Sequence, residues 1–117
     1  MRDVFLVEDE SLIRMMVAEM VAELGHRVVA EAGSIREATS LAQSAQFDVA
    51  ILDINVAGQS ILPVAEILKL RNLPFIFASG YATAGLPDKF GQRPALRKPF
   101  LVGELGRAID ALFSGQG

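Results

Sequence analysis

Five short apolar runs return along this chain at near-equal intervals, and that rhythm restricts the architecture more than any other feature. The runs are VFLV (4–7), RVVAEA (27–32), DVAILD (48–53), PFIFAS (74–79) and ALRK (95–98), with starts 23, 21, 26 and 21 residues apart. That spacing fits one strand, one helix and two short connections, and no residue-level repeat accompanies it. The stretches between the runs carry the helical period. Over 11–24, Leu12, Ile13, Met16, Val17, Met20, Val21 and Leu24 recur every three to four residues, and Gly25 supplies a stop. Ser34-Ile35-Arg36-Glu37 has the form of a capping box and predicts a second helix over 34–46. A third helix is predicted near 60–71. A last one, over 101–113, aligns Leu101, Leu105, Ala108, Ile109 and Leu112. Gly103 and Gly106 each cost that helix about 1 kcal/mol relative to alanine. In YATAGLPDKFGQR (81–93), Gly85, Pro87 and Gly91 break any long helix, so the fourth crossover is predicted to be short or irregular.

Alternating strands and helices imply a parallel sheet with helices on both faces. The middle runs are apolar throughout, as strands buried on both sides require. With 117 residues, 51% of them hydrophobic, the chain is read as one domain over 1–117 whose core needs no staples. The absence of Cys excludes thiol chemistry, and the single histidine, His26 in a turn, makes a zinc site improbable. A net charge of −3 offers neither a broad footprint for nucleic acid nor a basic face for anionic membranes. No apolar run nears the roughly 18 residues of a membrane span. VFLV is too short for a signal peptide, so the expected location is the cytoplasm.

In open parallel sheets, ligands bind beyond the carboxyl ends of the strands. There stand Glu8, Asp9 and Glu10 after the first run, Asp53 at the end of the third, Ser79 after the fourth and Lys98 after the fifth. Two or three carboxylates with a backbone carbonyl form a hard oxygen cage of the kind that Mg²⁺ accepts. The cation would relieve the mutual repulsion of the acids. Asp53, alone at the end of a buried strand, is a candidate nucleophile for an acyl phosphate. Lys98 and Ser79 could neutralise and hydrogen-bond the arriving phosphoryl oxygens.

VEDE (7–10), LDIN (52–55), FASGY (77–81) and RKPF (97–100) together resemble the receiver domain of two-component response regulators, over essentially the whole chain. The resemblance implies a flavodoxin-like, doubly wound sheet of five parallel strands in order 2-1-3-4-5, with five helices. It implies Asp53 as phosphoacceptor, Asp9 as the direct Mg²⁺ ligand, and Glu8 acting through water. It also implies that Asn55 lends its backbone carbonyl to the metal, that Ser79 is the switch hydroxyl, that Lys98 is the site lysine, and that Lys98-Pro99 is cis. The partner it implies is a histidine kinase, with helix one as a docking element, and the output is altered contact with a downstream protein or a phosphotransfer protein. DINVAGQSILPVAEIL (53–68) and FIFASGY (75–81) further resemble stand-alone receivers of alphaproteobacteria with a Phe-Ala-Thr-Gly signature.

Two departures from the common receiver stand out. Ala57 replaces the usual proline after the acceptor, which predicts a looser loop over the site. Ala95 replaces the aromatic three residues before the lysine, so Tyr81 becomes the candidate switch aromatic; a different coupling would be the ordering of 81–91 through Ser79 when Asp53 is phosphorylated. Among the remaining charges, Lys69 and Arg71 read as partners of their own helix dipole, and Arg97 should point away from the site. The glycines of the last helix admit close packing or weak dimerisation, so a monomer or weak dimer is expected. Competing readings are a phosphate sink or shuttle, a pseudo-receiver used only as an interaction module, and a small Mg²⁺-dependent aspartyl phosphohydrolase. The last would want an acid two residues after its nucleophile, where this chain has Asn55. The chain is therefore expected to be regulatory, with at most self-catalysed chemistry on its own aspartate.

Overall fold

A computed structural model describes residues 1–80 and 95–114. In chain order the elements are β1 (Asp3–Val7), α1 (Ser11–Glu23), β2 (Arg27–Ala32), α2 (Ile35–Ser44), β3 (Val49–Asp53), β4 (Asn55–Val56), β5 (Gln59–Ser60), α3 (Leu62–Leu70), β6 (Phe75–Ser79), β7 (Ala95–Arg97) and α4 (Val102–Ser114). Five strands form one parallel sheet in the order β2-β1-β3-β6-β7, which is the expected 2-1-3-4-5 order. β4 and β5 make a separate antiparallel hairpin that the apolar rhythm could not reveal, because each is two residues long. Among the described residues there are four helices. The fourth crossover and Tyr81 lie outside them.

The apolar strands divide the core into two layers. Phe5, Val7, Ala50, Leu52, Phe75 and Phe77 face α2 and α3, whereas Val4, Leu6, Val49, Ile51, Ile76 and Ala78 face α1 and α4. Alternation along each strand produces this division, since successive side chains leave opposite faces of the sheet. β3 and β6 are buried at every position, while the edge strand β2 alternates. Ser34 caps α2 as its sequence foretells, its Oγ accepting from the Glu37 N–H at 3.1 Å.

The apolar stripe expected on α1 is narrower than its sequence suggests. Val17 and Val21 are buried, but Leu12 and Met16 are exposed along with Met15. A 3.6-residue period identifies an apolar arc and does not say how much of it the sheet covers. Arg71 also serves a helix other than its own. Its guanidinium donates to the carbonyls of Ala42 and Ala45, closing the C-terminus of α2, and it lies over the Phe47 ring. Gly106 of α4 packs against Leu24, where a Cβ would come within 2.8 Å of Cδ2. That glycine therefore serves close packing between α4 and the end of α1. His26 accepts a hydrogen bond from the Arg2 N–H at its Nδ1, 2.9 Å away.

Ala57 and Gly58, the two residues turning β4 into β5, have φ of 51° and 82°. Both being positive matches a tight type I′ hairpin turn. Alanine pays about 1 kcal/mol for that conformation. A proline could not adopt it. The loop in which alanine replaces the usual proline is a hairpin with its own turn chemistry.

Candidate functional site

The carboxyl ends of β1, β3, β6 and β7 bring the sequence-predicted residues together. Glu8 continues the β1 ladder, its N–H donating to the Ala32 carbonyl at 3.0 Å, and its side chain is almost wholly buried. Asp53 ends β3 and is also buried, with Oδ1 accepting from the Asn55 N–H at 3.4 Å. Asp9 sits one residue beyond Glu8, and its Oδ2 accepts the Ala57 N–H at 3.0 Å. Carboxylate oxygens of Glu8, Asp9 and Asp53 lie within 4.8 Å of one another.

Lys98 follows β7 directly. Its backbone N–H donates to the Ser79 carbonyl at 2.8 Å, and the Lys98-Pro99 bond is cis, as the resemblance implies. Its ammonium bonds Glu8 Oε1 and lies 3.2 Å from Asp53 Oδ2, bridging two strand ends. Ser79 is buried at the end of β6, one position beyond Ala78, the cross-strand partner of Asp53. Ala95 pairs with Phe77 and is exposed, and Arg97 is exposed as well. Glu10 stands at the N-cap of α1 without a side-chain cap, and its N–H donates to Glu8 Oε2 at 3.1 Å.

The electrostatics follow from one ammonium bonded to two of three neighbouring acids. Burial pushes the Glu8 carboxyl above its usual value, and the Asp53 charge adds to this, although the hydrogen bond from Lys98 opposes both. For Lys98, burial works to lower the ammonium, but the bond to Glu8 and the charges of Asp53 and Glu8 outweigh it and hold the group above its usual value. Both shifts run upward, that of Glu8 chiefly through burial and that of Lys98 against burial, through its bond to Glu8 and the two carboxylate charges. An all-oxygen donor set with unbalanced negative charge fits a hard divalent cation such as Mg²⁺.

Two groups at this rim escaped the sequence reading. One is the Ala57 peptide N–H, which only the hairpin geometry brings to Asp9. The other is Arg14, whose Nη1 donates to the Glu8 carbonyl at 2.6 Å. The available signal for it was a single basic residue inside an otherwise apolar and acidic helix.

Comparison with known proteins agrees with this geometry. The family described as the response regulator receiver domain matches residues 4–110. The transcriptional regulatory protein PdtaR of Mycobacterium tuberculosis is 34% identical over 117 residues, covering 97% of this chain and 57% of PdtaR, so the chain spans little more than half of that relative. The solution structure of SdrG from Sphingomonas melonis is 35% identical, with a TM-score of 0.84 and 95% of each chain covered. The receiver domain of PhyR from Erythrobacter litoralis is 30% identical, with a TM-score of 0.81, covering 96% of this chain and 90% of that one. An acid-and-lysine rim on a five-stranded parallel sheet, matched from end to end of the sheet by that family, places this chain among the response regulator receiver domains.

Proposed function

We propose that this receiver accepts a phosphoryl group on Asp53 from a phosphohistidine donor, in the presence of Mg²⁺, and thereby changes its affinity for a protein partner. The observation that carries this reading is the Lys98 ammonium bridging Glu8 and Asp53 while Asp9 faces them across the same small space. In the transfer, an Asp53 oxygen forms the new P–O bond as the donor's P–N bond breaks, and the electron pair returns to the imidazole nitrogen. The attacking carboxylate then becomes an acyl phosphate, and the charge it presented to Lys98 passes to the phosphoryl oxygens. Lys98 is already aimed at Asp53 and can follow that charge without leaving its strand end. Ser79, buried on the adjacent strand, offers a hydroxyl to the same oxygens. Asp9 and Asp53 directly, Glu8 through water and the Asn55 carbonyl would hold the Mg²⁺, which supplies charge compensation for the acids and the phosphoryl group.

Incubation with a small phosphodonor and Mg²⁺ tests the reading. One phosphoryl group per chain should appear, labile to hydroxylamine and located on the peptide containing Asp53. Absence of label, or an acid-stable label elsewhere, would leave the pseudo-receiver reading in place.

The donor surface lies beside the site. Leu12, Met15 and Met16 of α1 are 64%, 53% and 49% exposed. A groove of about 270 Å³ runs between α1 and Pro99-Phe100, with Lys98 in its lining. We read this as the kinase-docking face, because its apolar lining ends at the residue that contacts Asp53. Met16→Glu is expected to slow transfer from the cognate kinase about tenfold, while labelling by the small phosphodonor is unchanged. Equal slowing with both donors would place the effect in the site and not in docking.

A further inference from the structure

Where β2 ends at Ala32, the β1–β2 ladder stops, because Gly33 and Ser34 turn away to open α2. Glu8 still donates its N–H to Ala32, but its carbonyl faces a side chain instead of the next peptide. Arg14 Nη1 donates to that carbonyl at 2.6 Å, and Arg14 Nε lies 3.3 Å from Glu31 Oε1 on β2. The guanidinium packs against residue 33, which lacks a Cβ; one built there would fall 2.7 Å from Nη1, so the guanidinium would have to shift. Gly33 does not occupy the left-handed region, so it is space and not backbone conformation that glycine provides.

We infer that Arg14 is a positioning residue for the Glu8–Asp9 pair, fixing the peptide from which both carboxylates project; the inference rests on the reading of these acids as a Mg²⁺ site. Three features carry it. A guanidinium bonded to a carbonyl is a charge-assisted contact with fixed direction, suited to holding a peptide plane. The Arg14–Glu31 pair is half-open to solvent at Glu31, and pairs of that kind add little to stability, so its use lies in orienting the guanidinium. The peptide held in this way joins Glu8 to Asp9, so a small rotation there moves two of the three acids relative to Asp53. Outer groups that orient metal ligands commonly change affinity by about tenfold or more when removed.

Calorimetric titration of the apo protein with Mg²⁺ tests this, with urea unfolding measured on the same samples. Arg14→Met keeps the apolar stem and removes the donors. Gly33→Ala keeps the charge and displaces the guanidinium. Each is expected to weaken Mg²⁺ binding about tenfold, with Arg14→Lys failing to restore it, since a rotatable ammonium lacks the planar fork that fixes the direction of both contacts. Folded variants that bind Mg²⁺ as tightly as wild type, with only the urea midpoint moved, would overturn the inference by showing a purely structural arginine. Should Arg14→Met fail to fold, Gly33→Ala decides. If wild type itself binds no Mg²⁺, or binds it no better than Asp9→Asn, the metal-site reading fails and takes this inference with it. Wild-type binding with unaffected variants overturns the inference alone.

Discussion

Lys98→Met is expected to destabilise the metal-free protein by about 2–3 kcal/mol near neutral pH while making it bind Mg²⁺ more tightly. Removing one member of a buried ion pair leaves the other uncompensated, and here two carboxylates are left at once. The cost falls below the usual range for buried pairs because the lysine side chain is 18% exposed and solvent screens part of it. The same loss leaves three acids with no neighbouring ammonium among the described residues, so a divalent cation gains what the fold loses. Phosphorylation by a small donor should nevertheless slow by about a hundredfold, since the group positioned for the phosphoryl oxygens is gone. The pH dependence separates this from a general packing defect. Glu8 already holds its proton above the usual value, and without Lys98 it holds it more firmly. An acid with a raised folded-state pKa adds stability that is complete below its unfolded value near 4.5 and is lost as pH rises through the folded value. Urea unfolding should therefore show a small gap between wild type and variant at about pH 5 and a large one at about pH 8. An equal gap at both would mean that Lys98 acts through its alkyl stem alone.

Much of this site was legible in the sequence because a parallel sheet converts strand ends into spatial neighbours. Glu8, Asp53, Ser79 and Lys98 are far apart in the chain, yet each follows directly on an apolar run, and the order of the runs set their proximity. Asp53, the acids and the lysine needed no side-chain geometry to be assigned to one rim. What stayed hidden depended on exact backbone paths. The β4–β5 hairpin arises from two positive φ values at Ala57 and Gly58, and alanine carries no signature of that conformation. Arg14 has no pattern in the sequence to mark it, because only the end of β2 leaves the Glu8 carbonyl facing its guanidinium. Arg71 was legible as a charge at a helix end, but periodicity could not say that the end belongs to α2. The exposure of Leu12 and Met16 was likewise hidden, since an apolar arc reads the same whether it meets the sheet or awaits a partner.

Mg²⁺ at about one hundred times its dissociation constant is expected to stabilise the fold by about 2.7 kcal/mol, raising the melting temperature by about 10 °C for a chain of this size. The effect should grow with pH. The metal-free protein carries Glu8 at an energetic cost once it ionises, so its stability falls as pH rises from the usual carboxylate range through the raised value. The loaded protein needs that same ionised carboxylate, and the cation offsets the repulsion, so its stability does not follow the decline. The two curves should meet near pH 4.5, where Glu8 begins to deprotonate even in the unfolded chain, and diverge above it. Lys98 does not produce this divergence. Its pKa is raised from 10.5, so its ammonium contributes fully below that value and is lost only in strongly alkaline solution. Asp9→Asn should abolish the gain while leaving the metal-free protein folded, because Asp9 accepts from the Ala57 N–H while Lys98 bonds Glu8 and Asp53. Thermal melts with Mg²⁺ and with chelator at several pH values measure all of this. A gain that is flat with pH, or that survives Asp9→Asn, would place the cation away from the strand ends and detach the metal from the phosphoryl site.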